Sequence, residues 1–489
     1  MSTAPELDAS GTLRWMWRQL TSMRTALLLL LLLGFASVPG SIFPQRSQNP
    51  MKVREYFTAN PALSQWMDRL RLFDVYSSPW FSAIYLLLFI SLIGCVLPRT
   101  LEHFKAARAQ PPLTPRFLDR MDSFTEVDVN QKLALDLAEK WLRKKRFRIR
   151  REENSISAEK GFSRESGNLL FHLSLILILV AVAVGGLFGM KGEAILNVGE
   201  RFINAPTSYD NLSFGKFQKE NTLTPFSLTV KKFKATYNVQ TNAPSDYLLN
   251  VSTENPVGNK SVDSAIRVNS PLTFGSTKIY LQANGYSPVV TVRDKSGVIT
   301  FKGPVIFLPQ DGNLTSTGAI KLPDMNPQIG FVGSFVPTYS RSSTRGAFSA
   351  FPEALDPRLL LSAWSGNLGL DNGEPQSVYR LDTSRMTKLG LKQLKIGESY
   401  NFGEGSITFD GYRSWVNLQI VNDPGKMYAL VGAILAILGL LLSLFTRQRR
   451  IWVKVDGAVT LAGLAKNGLP GLAEEINLLK SELEKGRNA

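Results

Sequence analysis

Four apolar stretches constrain this 489-residue chain more than anything else in it: Thr25–Phe43, Trp80–Pro98, Asn168–Phe188 and Met427–Phe445. Each approaches the ~20 residues that a helix needs to cross a ~30 Å hydrocarbon core. Lipid offers no partner to an open peptide group, so a spanning segment of this kind closes its hydrogen bonds internally, as a helix. The expected fold class is an integral membrane protein with four transmembrane helices, a large extracytoplasmic β-rich, sandwich-like domain and a small cytoplasmic α+β unit. Arg14, Arg18 and Arg24 precede the first stretch as they would in a secretion signal. The following Pro39-Gly40-Ser41-Ile42-Phe43-Pro44-Gln45 has no small-residue cleavage pattern, which predicts a retained first helix.

Charge orients the chain. Arg99 to Gly167 carries 16 Lys/Arg, Pro44 to Pro79 carries 5, and Arg447, Arg449, Arg450 and Lys454 follow the last span. The positive-inside rule then puts both termini and 99–167 in the cytoplasm and the long third loop outside. The expected order is a polar, mobile cytoplasmic tail (1–24), TM1 (25–43) and an outer loop with an interfacial helix (44–79). TM2 (80–98), the basic α+β segment (99–167) and TM3 (168–188) follow. The β-rich domain (189–426), TM4 (427–445) and a cytoplasmic tail (446–489) complete it. The net charge of +16 is thereby assigned to topology and anionic lipid headgroups rather than to nucleic acid.

Local patterns fill in these segments. Leu63, Trp66, Met67, Leu70 and Phe73 recur at helical spacing, predicting one apolar face lying in the interface. Asp122–Lys160 reads as a β-α-β-β unit. It has a strand over Ser123–Val129, a helix capped by Asn130 and running through Ala138 to Lys144, and a hairpin of Phe147–Arg151 with Ser155–Lys160. Short alternating runs such as Phe226–Val230, Ala265–Asn269, Thr277–Leu281, Val289–Val292 and Ser406–Phe409 predict an antiparallel sandwich or open barrel. Asn313–Asp382, rich in Pro, Gly and Ser, reads as an irregular, mobile insertion. The amphipathic Leu472–Lys485 reads as a helix in a solvated tail.

Catalytic patterns are few. There is no phosphate-binding Gly-Lys-Ser/Thr loop and no His-Glu-x-x-His, and the outer region has no histidine, which excludes a Ser-His-Asp triad there. The lone cysteine, Cys95, makes neither an intrachain disulfide nor a Cys-x-x-Cys pair and reads as a small packing residue. Two histidines remain. His103 follows the second span in a charged setting and reads as a surface residue. His172 lies near the start of the third span, where an ionisable side chain marks a ligand, a relay or a pathway, or a structural hydrogen bond to a neighbouring helix. Imidazole is a common axial ligand of haem iron. If two imidazoles hold the iron, only His172 is placed to do so, and the second ligand comes from another chain. Ala181, Gly185 and Gly189 form a small-xxx-small series for helix contact, and Ala181 lies about 180° round the helix from His172.

Several segments together resemble the ResB/Ccs1 (CcsB) family of system II cytochrome c biogenesis. They are Ser37–Gln45, Phe73–Phe81, Phe171-His172-Leu173-Ser174 with Leu187-Phe188-Gly189, Val268–Leu272, Lys278-Ile279-Tyr280, Asn422-Asp423-Pro424-Gly425 and Arg450-Ile451-Trp452-Val453. The resemblance implies a membrane subunit of a cytochrome c synthase, without complete catalytic machinery of its own, in the cell membrane or a thylakoid membrane. It implies a CcsA/ResC-type membrane partner, thiol reductants, and an apocytochrome c presenting Cys-x-x-Cys-His. It also implies haem b, bound non-covalently and transiently, with His172 at the family's iron-ligating position. The chain has no Trp-Trp pair, so a haem-presenting Trp-rich segment would belong to the partner. Asp74, Tyr76, Trp80 and Asp423 read as turn and anchoring residues. The competing expectation is a non-catalytic membrane scaffold or sensor displaying a β domain, with His172 structural.

Overall fold

In the computed structural model, residues 8–46, 50–219, 223–254, 261–343, 346–370, 377–465 and 471–485 are described. Parts of the expected N-terminal tail, of Asn313–Asp382 and of the C-terminal tail lie outside these residues.

The four apolar stretches are helices: α2 (Met23–Ile42), α5 (Pro79–Arg108), α7 (Ser163–Phe188) and α8 (Lys426–Phe445). All four are long and apolar enough to cross a membrane. Ahead of α2, α1 (Ala9–Leu20) is capped by the Asp8 carboxylate. The expected mobile tail is therefore helical from residue 9, because Asp8 satisfies an otherwise open amide of the first turn. Cys95 on α5 donates to the Thr21 carbonyl at 2.6 Å, and Ser91 donates to Leu20 O at 2.6 Å.

Between α2 and α5 lie α3 (Pro50–Ala59) and α4 (Pro61–Arg69), closed on Val53, Met67 and Phe73. The predicted single apolar face is divided. Met67 and Phe73 are buried, whereas Leu63, Trp66 and Leu70 are exposed along the outer side. The helix stops at Arg69 because Arg71 takes a left-handed backbone, φ 59°, and turns the chain inward. Arg46 bridges Asp68 and Asp74, and Gln45 accepts from Val75 N at 3.0 Å while donating to Leu72 O at 3.0 Å. Trp80 donates its indole N–H to Leu70 O at 3.0 Å.

Two compact units emerge, residues 1–182 with 426–489, and residues 183–425. In the first, a five-stranded antiparallel sheet runs Ser123–Val127, Ala458–Ala465, Arg449–Asp456, Ser155–Lys160, Arg148–Arg151. The expected strand, helix and hairpin are all present, the helix being α6 (Gln131–Lys144). Their first strand and hairpin do not touch each other. The C-terminal hairpin, turning at Gly457 with φ +74°, is inserted between them. α6 and α9 (Leu472–Lys485) cover one face, burying Leu142, Ile156, Leu461, Ile476 and Leu479. The segment expected to be a solvated tail is thus core. Its i, i+4, i+7, i+11 apolar stripe, Leu472, Ile476, Leu479 and Leu483, is buried on this sheet.

Among the described residues, the second unit is β apart from the end of α7 and one 3-10 turn at Pro206–Ser208. Thr277–Asp294 and Gly405–Asn422 pair along their whole length, from Thr277–Asn422 to Asp294–Gly405, with bulges near Gln282 and Asp410. One end of this ribbon shares a core with the sheet of Arg201–Ile203, Ser227–Tyr237, Pro244–Glu254 and Ser261–Arg267. The other end shares one with Leu308–Pro309, Ser316–Leu322, Ile329–Val336, Arg358–Ser365 and Thr387–Leu394. Most of that second sheet comes from the stretch expected to be irregular. Its strands turn Ile320, Leu322, Phe331, Phe335, Leu359 and Leu361 inward, and a separate hairpin of Tyr339–Ser342 and Gly346–Ser349 lies between two of them.

Candidate functional site

α7 starts at Ser163, five residues before the expected Asn168, and so adds a polar turn ahead of the apolar run. Its buried positions Gly167, Ser174 and Ala181 recur every seven residues. Gly432 and Gly439 on α8 do the same and meet them in antiparallel register. A Cβ on Gly167 would stand 2.7 Å from Gly439 O, and one on Gly432 would stand 3.3 Å from Ser174 O. Any side chain at Gly167 or Gly439 would force the two backbones apart. The contact seam is therefore not the expected Ala181-Gly185-Gly189 series, although Ala181 belongs to both. Gly185 instead faces the Asp423 carboxylate, which caps its own turn by accepting from Gly425 N at 2.8 Å.

His172 lies about 160° round α7 from Ser174, away from α8. Along its own line, Ile176 and Leu179 are half-buried and Ala183 is exposed. The imidazole Nδ1 stands 2.7 Å from the Asn168 carbonyl oxygen. That oxygen only accepts, so the proton of the neutral ring belongs to Nδ1 and Nε2 presents a lone pair. A backbone carbonyl holding one ring nitrogen while the other is left for a metal is the usual outer support of a metal-bound histidine. The residues present therefore fit a single axial iron–imidazole bond. The Phe171 ring meets the imidazole edge-on at 5.3 Å between centroids.

His103 departs from the sequence reading. α5 does not stop at Pro98 but continues to Arg108, which lays His103 on a helix facing the first turns of α7. Its side chain is only 11% exposed. The ring stacks on Phe162 at 4.6 Å and 10°, and Arg148 covers Phe162 at 5.3 Å. Nε2 lies 2.8 Å from the Ser166 hydroxyl. A cavity of about 300 Å³ opens here, lined by Arg99, Glu102, His103 and Ala106 from α5 and by Glu165, Asn168 and Leu169 from α7. Asn168 is the residue whose carbonyl fixes His172, so the cavity and the imidazole share a helix face. The signal in the sequence is Arg99, His103 and Ala106 at i, i+4, i+7, which continues α5 as a helix beyond its apolar run.

Four of the eight cations of the basic run Lys140–Arg151 are paired within their own domain. Arg143 pairs with Glu139 at 2.7 Å, Arg151 with Asp136 and Glu139 at 2.7 Å, and Arg148 with Glu159 at 3.3 Å. Hydrogen bonds from Arg151 and then Arg143 hold the Glu139 carboxyl below its ordinary pKa. Of the other candidates, Asp74 answers Arg46 and Tyr76 lies against Gly40. Both are structural.

Helices of spanning length together with a large β-rich remainder define a membrane protein carrying a β domain. The ResB-like family model matches residues 23–477, and the chain belongs to that family. Cytochrome c biogenesis protein CcsB of Synechococcus sp. (strain CC9311) is 27% identical over 491 residues, covering 97% of this chain and 99% of the relative. Cytochrome c biogenesis protein ResB of Bacillus subtilis (strain 168) is 25% identical over 495 residues, 95% of this chain and 86% of the relative. Cytochrome c biogenesis protein Ccs1 of Rhodomonas salina is 22% identical over 477 residues, with 95% and 96% covered.

Proposed function

We propose that this chain is the haem-handling membrane subunit of a cytochrome c synthase and that His172 is an axial ligand of the haem iron. The observation that carries the reading is the 2.7 Å contact between His172 Nδ1 and Asn168 O. It leaves Nε2 as a lone-pair donor on the α7 face turned away from α8. Haem is the cargo here, received from the cytoplasmic side and passed outward for covalent attachment to Cys-x-x-Cys-His of an apocytochrome c. A CcsA/ResC-type partner supplies the second ligand and the outer presenting segment, and thiol reductants keep the apocytochrome cysteines available. The chain itself binds, orients and releases, while the β domain holds the apocytochrome or braces the partner.

Sidedness follows the Lys/Arg distribution, in the cell membrane or a thylakoid membrane. The α+β domain supports it: one sheet takes strands from before α7 and from after α8, so both segments share a side.

The test is His172→Gly in the full-length protein purified with its membrane partner. We expect bound haem to fall to a small fraction of wild type, with added imidazole partly restoring the haem absorption bands. Unchanged haem content would remove His172 as a ligand and leave the scaffold reading in its place.

A further inference from the structure

The crevice at His103 contains two features that the iron-ligand reading does not use. Arg99 lines it without an ion-pair partner among the described residues. His103 Nδ1 is buried there with no hydrogen-bond partner, the nearest charge being Glu165 Oε2 at 3.7 Å. The Arg99 guanidinium is exposed and so open to an anion, while the buried His103 nitrogen beside the same cavity lacks the partner that buried polar atoms normally have.

Helix register ties this cavity to His172. α5 ends and α7 begins on the same side, so the two helices run in opposite directions, and His103 meets Ser166. Four residues back along α5 is Arg99, and four residues on along α7 is Leu170. His172 lies two residues further, about 3 Å along the axis. Glu165, Asn168 and His172 follow the i, i+3, i+7 stripe of α7, and Arg99, His103 and Ala106 follow the facing stripe of α5, so the crevice reaches Asn168, whose carbonyl holds the imidazole one turn further on.

We propose that Arg99 is a carboxylate-binding residue for the cargo: the crevice receives a propionate of the haem whose iron His172 ligates, with His103 Nδ1 as a second donor. This rests on the haem reading above. The glutamates sharpen the assignment. Glu102 and Glu165 line the same cavity and repel a free anion, so the site is weak for a small carboxylate alone. It gains strength when the carboxylate is tethered to an iron already held by His172, because the second contact is then intramolecular. Arg99 offers the planar fork that matches a carboxylate, which a lysine cannot reproduce.

The experiment titrates the full-length protein in detergent micelles with haem and with haem dimethyl ester, whose propionates carry no charge, and follows absorption. We expect wild type to bind haem about tenfold or more tighter than the ester, the size of a charge-assisted hydrogen bond. Arg99→Gln should lose that preference and leave ester affinity unchanged, while Arg99→Lys should retain part of it. Equal affinity of wild type for both ligands would overturn the proposal, as would an Arg99→Gln variant weakened equally for both. His172→Gly is the parallel control: it should weaken both ligands together. If it weakens neither, the iron-ligand reading fails first and takes the proposal with it.

Discussion

The two faces of α7 are built for opposite purposes. One carries Gly167, Ser174 and Ala181 and is buried, with Gly167 and Ser174 set against Gly439 and Gly432 of α8. The other carries Glu165, Asn168 and His172, borders a cavity, and continues into Ile176, Leu179 and Ala183 with no buried residue. At Gly167, its tightest point, the first face has no room for a side chain at all. The second exposes an imidazole whose partner is its own helix. A helix whose glutamate and histidine lie on the side away from α8 is fixed by packing and left available for a ligand.

Substitutions can break this contrast in a graded order. Gly439→Leu on the packed face should have the largest effect. Its side chain meets Phe171 N at 2.6 Å and Gly167 O at 2.8 Å, and we expect loss of folded protein from the membrane, read as collapse of detergent-extracted yield and monodispersity. Next comes Leu479→Ala in α9, fully buried under the sheet. It should cost about 2–5 kcal/mol, measured as a lowered thermal midpoint of the α+β domain, whereas an exposed Leu478→Ala should change little. On the open face, Leu179→Ala should leave stability within about 0.5 kcal/mol, and a large loss would show that another helix of this chain covers it. The smallest effect concerns acid. Because the Glu139 pKa is depressed in the folded state, its contribution is present above the ordinary Glu value and disappears as pH falls through the lowered one. Glu139→Gln should therefore flatten the acid limb of stability by about 0.2–1 kcal/mol, followed by circular dichroism against pH.

Much of this was legible in the chain. The four spans, the β-α-β-β elements of Asp122–Lys160 and the alternating outer strands follow from local periodicity, and each is local in sequence. Most of the failures are non-local. The hairpin Arg449–Ala465 carries an alternating pattern and an Asp456-Gly457 turn, but nothing in it says that it inserts between strands more than 280 residues away. Asn313–Asp382 reads as irregular because Pro, Gly and Ser punctuate it, although three of its strands run seven or eight residues. His103 seemed exposed because charge surrounds it in sequence, whereas helix α5 carries it into a stack with Phe162. Position 172 was visible as an anomaly, a histidine in an apolar run. Its hydrogen bond to Asn168, and hence which ring nitrogen is open, needed the structure.

The interleaved α+β sheet has a consequence for biosynthesis. Ser123–Val127 and Ser155–Lys160 are made early, yet the strands that separate them arrive only after Arg449. At about 5–20 residues per second, roughly 290 further residues keep those two strand edges waiting for about 15–60 s. The nascent protein must therefore travel half-assembled through insertion of its last span. A product truncated before Arg449 keeps two unpaired strand edges.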